Sequence, residues 1–183
     1  MKKKVSSSKK FNKIISDIKS IKIQGATNIC KAGIEAYLLN PAPKSAKKIL
    51  STRPTEPLLQ NALTLLQKSS KPKIAAKKFL RDLETSSKKI SKAGAKLIKN
   101  DMNIYSHCHS STVINILKKA KSQKKKFTVY TTEVEPLLQG RKTAKDLAKA
   151  KIPVIIAPDL AAEQIMSKCD LFLFGADAYS AKE

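Results

Sequence analysis

A thiol between two imidazoles with hydroxyls behind it is an arrangement for proton transfer or nucleophilic attack. Cys108 stands in that setting, in the stretch Asn103-Ile104-Tyr105-Ser106-His107-Cys108-His109-Ser110-Ser111. A reactive thiol needs a polar, partly exposed environment, whereas a lone cysteine is otherwise a small buried hydrophobe. His107 and His109 serve packing or hydrogen bonding as readily as chemistry, because alternate residues of a strand face opposite sides. Ile104 and Tyr105 favour a strand, and Val113, Ile114, Ile116 and Leu117 fall at helical spacing. The stretch therefore reads strand, tight turn, helix, with Cys108 at the strand's C-terminal end. In an open parallel sheet that end is where ligands meet the N–H groups of the following helix.

The elements that must hold this stretch divide by texture. Residues 1–10 form a Lys/Ser tail expected to be disordered. Residues 11–98 carry helical periodicity: Phe11, Ile14, Ile15 and Ile18; then Ile29, Gly33, Ala36 and Tyr37; then Leu58 to Leu66, with Thr55 as an N-cap. A long helix follows with Phe79, Leu83, Ile90, Ala93 and Leu97, while 44–52 is open between helix and strand. From residue 99 the apolar runs 104–106, 127–132, 154–157 and 171–174 alternate with helices at 111–121, 143–149 and 160–167. Thr143 with Asp146 three residues on is a capping-box-like start for the second of these. The expectation is an α/β chain: an all-helical domain over 11–98, then a Rossmann-like parallel sheet over 99–183. No Gly-rich dinucleotide loop or Walker lysine loop follows any strand, which disfavours nucleotide sites of those types.

If the strand order is the doubly wound 3-2-1-4, the first and fourth strands adjoin at the switch point. Cys108 ends the first and Gly175-Ala176-Asp177 ends the fourth, so a thiol and a carboxylate share one crevice suited to acid–base work. Taken alone, Asp177 is equally a capping or loop carboxylate. Leu171 to Phe174 reads as a strand buried on both faces, yet the sequence given ends nine residues later. Pairing with another chain or C-terminal truncation is the expectation, and with it a homo-oligomer or assembly with related subunits.

Composition narrows the class. The 183 residues carry 37 Lys+Arg against 14 Asp+Glu, a net charge of +23. Only Arg53, Arg81 and Arg141 are arginines, and the lysines are spread along the chain without interleaved aromatics. That pattern implies weak nonspecific attraction to RNA rather than a dedicated nucleic-acid module. Lys124-Lys125-Lys126 reads as a solvated element end. No apolar run spans a bilayer and no secretory signal follows the basic start, so the expectation is a cytoplasmic protein without membrane contact. Cys30, Cys108 and Cys169 have no regular spacing, which argues against a disulfide framework or a zinc site.

Ser106-His107-Cys108-His109-Ser110, Gln139-Gly140, the 153–159 stretch and Gly175-Ala176-Asp177 together resemble the translation initiation factor 2B alpha/beta/delta family. Ile23-Gln24-Gly25-Ala26 and Thr52-Arg53-Pro54-Thr55 extend the resemblance into the helical half. The superfamily also holds ribose-1,5-bisphosphate isomerase and methylthioribose-1-phosphate isomerase. The resemblance implies a helical domain, a Rossmann-like domain and oligomeric assembly. For the isomerase branch it implies Cys108 and Asp177 as catalytic pair, with Arg53, Gln24, Gly25, Ala26 and Ser110 holding a phosphorylated sugar. No metal and no cofactor are implied. Two departures stand against this: the family's Arg-Gly-Ala phosphate loop reads Gln24-Gly25-Ala26, and its Glu-Thr-Arg-Pro reads Glu133-Val134-Glu135-Pro136. Glutamine supplies neither the charge nor the two-pronged fork of arginine. The Asn-Lys-containing segment expected after Asp177 is also absent. A ribose-1,5-bisphosphate isomerase-like aldose–ketose isomerase is therefore the first reading. A non-catalytic regulatory or scaffold subunit related to initiation factor 2B is the second.

Overall fold

The computed structural model describes residues 2–177, with side chains from Ser7 onward. It divides into two compact units, residues 2–84 together with Asp177, and Thr85–Ala176.

The first unit is helical: α1 (Lys2–Lys19), α2 (Ala26–Leu39), α3 (Pro43–Leu50), α4 (Pro57–Lys68) and the first part of α5 (Pro72–Leu97). Proline opens α3, α4 and α5, at the position where its missing N–H costs nothing. Ile14, Ile15 and Ile18 of α1 pack with Ile29, Cys30 and Ile34 of α2 and with Leu59, Leu63 and Leu66 of α4. These aliphatic stripes recur at helical spacing, which is why the sequence shows them. The 1–10 tail differs from expectation, since helix α1 runs back to Lys2. Its start is tied down by Ser7, whose hydroxyl donates to the Leu39 carbonyl at 3.3 Å, and by a Lys10–Glu35 pair at 2.7 Å. The undecided segment 44–52 is helical as far as Leu50 and then turns. Thr55 is not a cap: Glu56 takes that position, because Pro57 fixes the first helical residue one step later.

The second unit holds the end of α5, then β1 (Met102–Ser106), α6 (Ser111–Ser122), β2 (Phe127–Thr132), α7 (Gln139–Lys149) and β3 (Val154–Ala157). A short 3-10 turn (Asp159–Ala161), α8 (Ala162–Met166) and β4 (Leu171–Leu173) complete it. The pairings are parallel, as the alternation of strand and helix requires, and the order is β3-β2-β1-β4. Ile104, Val129, Val154 and Leu171 lie in one register row and enter the core with Val113, Leu117 and Leu147. The neighbouring row on the other face is Ile155, Tyr130, Tyr105 and Phe172.

The division falls inside α5 rather than at residue 98/99. Ala95 and Ile98 are fully buried in the core of the sheet unit, so the last turns of the helix fold with the strands. The face expected for this helix is shifted too: Ile90 and Leu97 are exposed. Lys125, expected in solvent, donates at 2.6 Å to the carbonyls of both Ala95 and Ile98 and closes the end of α5. β4 is an edge strand and not buried on both faces; Phe172 is 45% exposed because nothing among the described residues pairs beyond it.

Candidate active site

The C-terminal ends of β1, β2 and β3 converge around Cys108. β1 ends at Ser106, and Cys108 takes the left-handed conformation, φ 63°. For a residue with a Cβ this costs roughly 1–3 kcal/mol and persists only when neighbours enforce it. Ser110 then caps α6, its Oγ accepting from the Val113 N–H at 3.4 Å. Cys108 thus lies two residues before the cap of a twelve-residue helix, at the end where unpaired N–H groups favour anions. Ser110 meets the end of β4 as well. A methyl group on Gly175 would sit 2.5 Å from the Ser110 Oγ, so glycine lets the two loops close up.

What enforces the turn is Thr143. Its buried hydroxyl donates to the Cys108 carbonyl at 2.7 Å and lies 3.0 Å from His109 Nδ1. Thr143 is therefore an interior residue of α7 facing the thiol loop. The capping-box expectation fails because α7 starts at Gln139, after Leu138 in the left-handed conformation. Gly140 permits that early start: its N–H donates to the Glu133 carbonyl at 3.0 Å, and any Cβ there would run into the Thr132 carbonyl. Across the imidazole, His109 Nε2 stands 3.8 Å from an Asp146 carboxylate oxygen. Burial, aided by Lys142 and Lys118, holds the His109 pKa below its ordinary value, with Asp146 pulling the other way.

His107 Nδ1 stands 3.4 Å from the Thr132 hydroxyl. Beyond it, the Asp159 carboxylate accepts from the Glu135 N–H at 2.9 Å and the Val134 N–H at 2.8 Å. Those bonds, with the Thr132 hydroxyl and His107, keep it below the usual carboxylate range. Glu133 pairs with Arg141 at 2.6 Å. The loop that departs from the family's Glu-Thr-Arg-Pro is thereby fixed by carboxylates on both sides. Thr143, Asp146 and Asp159 were not singled out as site residues by sequence, since only the sheet order brings them to Cys108, His109 and His107 respectively.

The remaining candidates lie in the helical unit. Gly25, φ 83°, precedes the first turn of α2, and the Gln24 side-chain amide donates to the Ile21 carbonyl at 2.9 Å. Ala26 is the first residue of α2. Arg53 sits with Glu56, and among the described residues Arg53 Nε and Glu56 Oε2 are buried without a hydrogen-bond partner. Burial raises the Glu56 pKa; Asp177 adds to that and Arg53 opposes it. Asp177 is exposed and groups with this unit, while Cys108 and Ser110 belong to the other. Among the described residues no three His, Cys, Asp or Glu side chains converge as a metal-ligand set.

Comparison with known proteins agrees with this architecture. A curated ribose 1,5-bisphosphate isomerase of Pyrococcus furiosus is 34% identical over 197 aligned positions, which cover 92% of this chain and 61% of that protein. The corresponding protein of Archaeoglobus fulgidus is 30% identical, covering 90% of this chain and 59% of its own. This chain therefore spans about three fifths of the length of these relatives. A crystal structure of the Pyrococcus horikoshii translation initiation factor eIF-2B superposes with a TM-score of 0.84 at 25% identity, covering 91% of this chain and 66% of that one. The family model described as the initiation factor 2 subunit family matches residues 35–181, so the chain belongs to that family.

Proposed function

We propose that this chain carries the thiol half of a sugar-phosphate aldose–ketose isomerase acting on ribose 1,5-bisphosphate. The observation that supports it most is Cys108, held in a left-handed turn at the end of the central strand beside the N-terminus of α6. In this reading Asp177 gives a proton to the ring oxygen while the C1–O4 bond breaks, and Cys108 Sγ takes the proton from C2. The enol so formed loses its 2-hydroxyl proton to Asp177 as the C2 carbonyl forms, and Sγ returns its proton to C1. Both groups end as they began, so neither metal nor redox partner is needed. Arg53 offers its unpartnered Nε to a phosphate, as an arginine fork suits. Ser110, Gly25 and Ala26 add hydroxyl and backbone donors at two helix starts. Conversion of ribose 1,5-bisphosphate to the ketose tests the reading. Cys108→Ser keeps the volume and is expected to lower kcat by about 10²–10⁴-fold; unchanged turnover in that variant would exclude the thiol.

One observation favours a second reading, a non-catalytic subunit related to initiation factor 2B. The Gln24 amide that replaces the phosphate-loop arginine is uncharged and donates to the Ile21 carbonyl. Absence of turnover in the native protein, together with association with related subunits, would establish that reading instead.

A further inference from the structure

The thiol loop contains a hydrogen-bond chain whose direction is fixed by counting protons. Thr143 Oγ1 has one hydrogen and lies 2.7 Å from the Cys108 carbonyl, which can only accept. The hydroxyl therefore donates to that carbonyl and has only lone pairs left for His109 Nδ1 at 3.0 Å. Nδ1 must carry a hydrogen. Neutral His109 is then the Nδ1–H tautomer, with a bare Nε2 facing Asp146 at 3.8 Å. An unconstrained imidazole in that place would turn its proton to the carboxylate. Lys142, Thr143 and Asp146 of α7 and Lys118 of α6 are the polar groups acting on this ring.

We propose that His109 and Thr143 are positioning residues for Cys108: the chain His109 Nδ1–H to Thr143 Oγ1–H to Cys108 carbonyl locks the left-handed turn and so sets the direction of the thiol. The chain exists whatever the thiol is used for; only its importance for turnover rests on the isomerase reading. Three features point to positioning rather than packing. Cys108 is one of the non-glycine residues with positive φ, its carbonyl is held from a different element, and the holding group is itself buried. Because imidazolium also carries Nδ1–H, protonation of His109 leaves the chain intact.

The test is spectroscopic and needs no substrate. Two-bond 1H–15N correlations of the wild-type imidazoles, assigned with His109→Asn, are expected to show the Nδ1–H tautomer for His109 at a pH where it is neutral. Thr143→Val is nearly isosteric and should switch His109 to Nε2–H, facing Asp146, and move the Cys108 backbone carbon shifts out of the left-handed range. Thr143→Ser should preserve both. Where ribose 1,5-bisphosphate is turned over, Thr143→Val should lower kcat about tenfold with KM unchanged, the size of one lost hydrogen bond. An Nε2–H tautomer in the wild type overturns the proposal even if Thr143→Val fails to fold. So does a folded Thr143→Val protein with wild-type tautomer and Cys108 shifts. The expected spectra without turnover in any variant support the proposal and count against the isomerase reading alone.

Discussion

At the scale of single residues, the environment separates side chains that sequence treats alike. Cys30 is buried, its thiol pushed up to about 11 by burial and by Glu56, and Cys169 is also raised. Cys108 stands instead in a hydrogen-bonded loop at a helix start. His109 carries a pH consequence whose sign can be worked out. Its folded pKa is below the ordinary 6.5, so between the two values the unfolded chain binds more protons. The contribution is fully present above about 6.5 and is lost as pH falls through the folded value. Urea unfolding at a series of pH values should show stability declining below about pH 6.5, and His109→Gln should flatten that decline. An unchanged slope in the variant would mean that another group causes it.

At the scale of elements, α7 matters most, because its first turn decides where Thr143 points. Gly140 lies where only a hydrogen fits against the Thr132 carbonyl. Gly140→Ala should displace the helix start and cost about 1–3 kcal/mol, the range for overpacking. Chemical denaturation reads that cost, and a variant as stable as wild type would show that the turn yields freely. The same helix shows what sequence can and cannot disclose. Strand–helix alternation made the parallel sheet legible, since it follows from periodicity, whereas the 3-2-1-4 order entered only as one of the doubly wound possibilities, and the sheet takes it. Cys108, Ser110 and Gly175 were legible at the strand ends for the same reason. The start of α7 was not, because Thr143 followed by Asp146 imitates a helix N-terminus, while the true start depends on one glycine meeting a carbonyl. The unit boundary was hidden likewise: α5 keeps one helical period while its buried face passes from one core to the other.

At the scale of the whole molecule, β4 leaves Phe172 and Phe174 exposed beside Tyr105, with ring centroids 6.0 Å from it. Among the described residues β4 is the edge of the sheet, and apolar side chains left open there invite further packing. We expect a dimer or larger assembly at micromolar concentration, and Phe172→Lys should shift it toward monomer. Sedimentation of a stable wild-type monomer would refute this. No described helix is long and apolar enough to cross a membrane. The hydrogen bond from Thr143 to the Cys108 carbonyl also dictates an order of events during synthesis. Cys108 leaves the ribosome 35 residues ahead of the hydroxyl that fixes it. β1, moreover, is flanked on one side by a strand that begins only at Leu171. The thiol loop therefore cannot take its final shape on a nascent chain until α7 has emerged, and the sulfur stays in an unformed turn throughout that interval. A chaperone or an oxidant meeting the growing polypeptide would find it there, before the turn has set its direction.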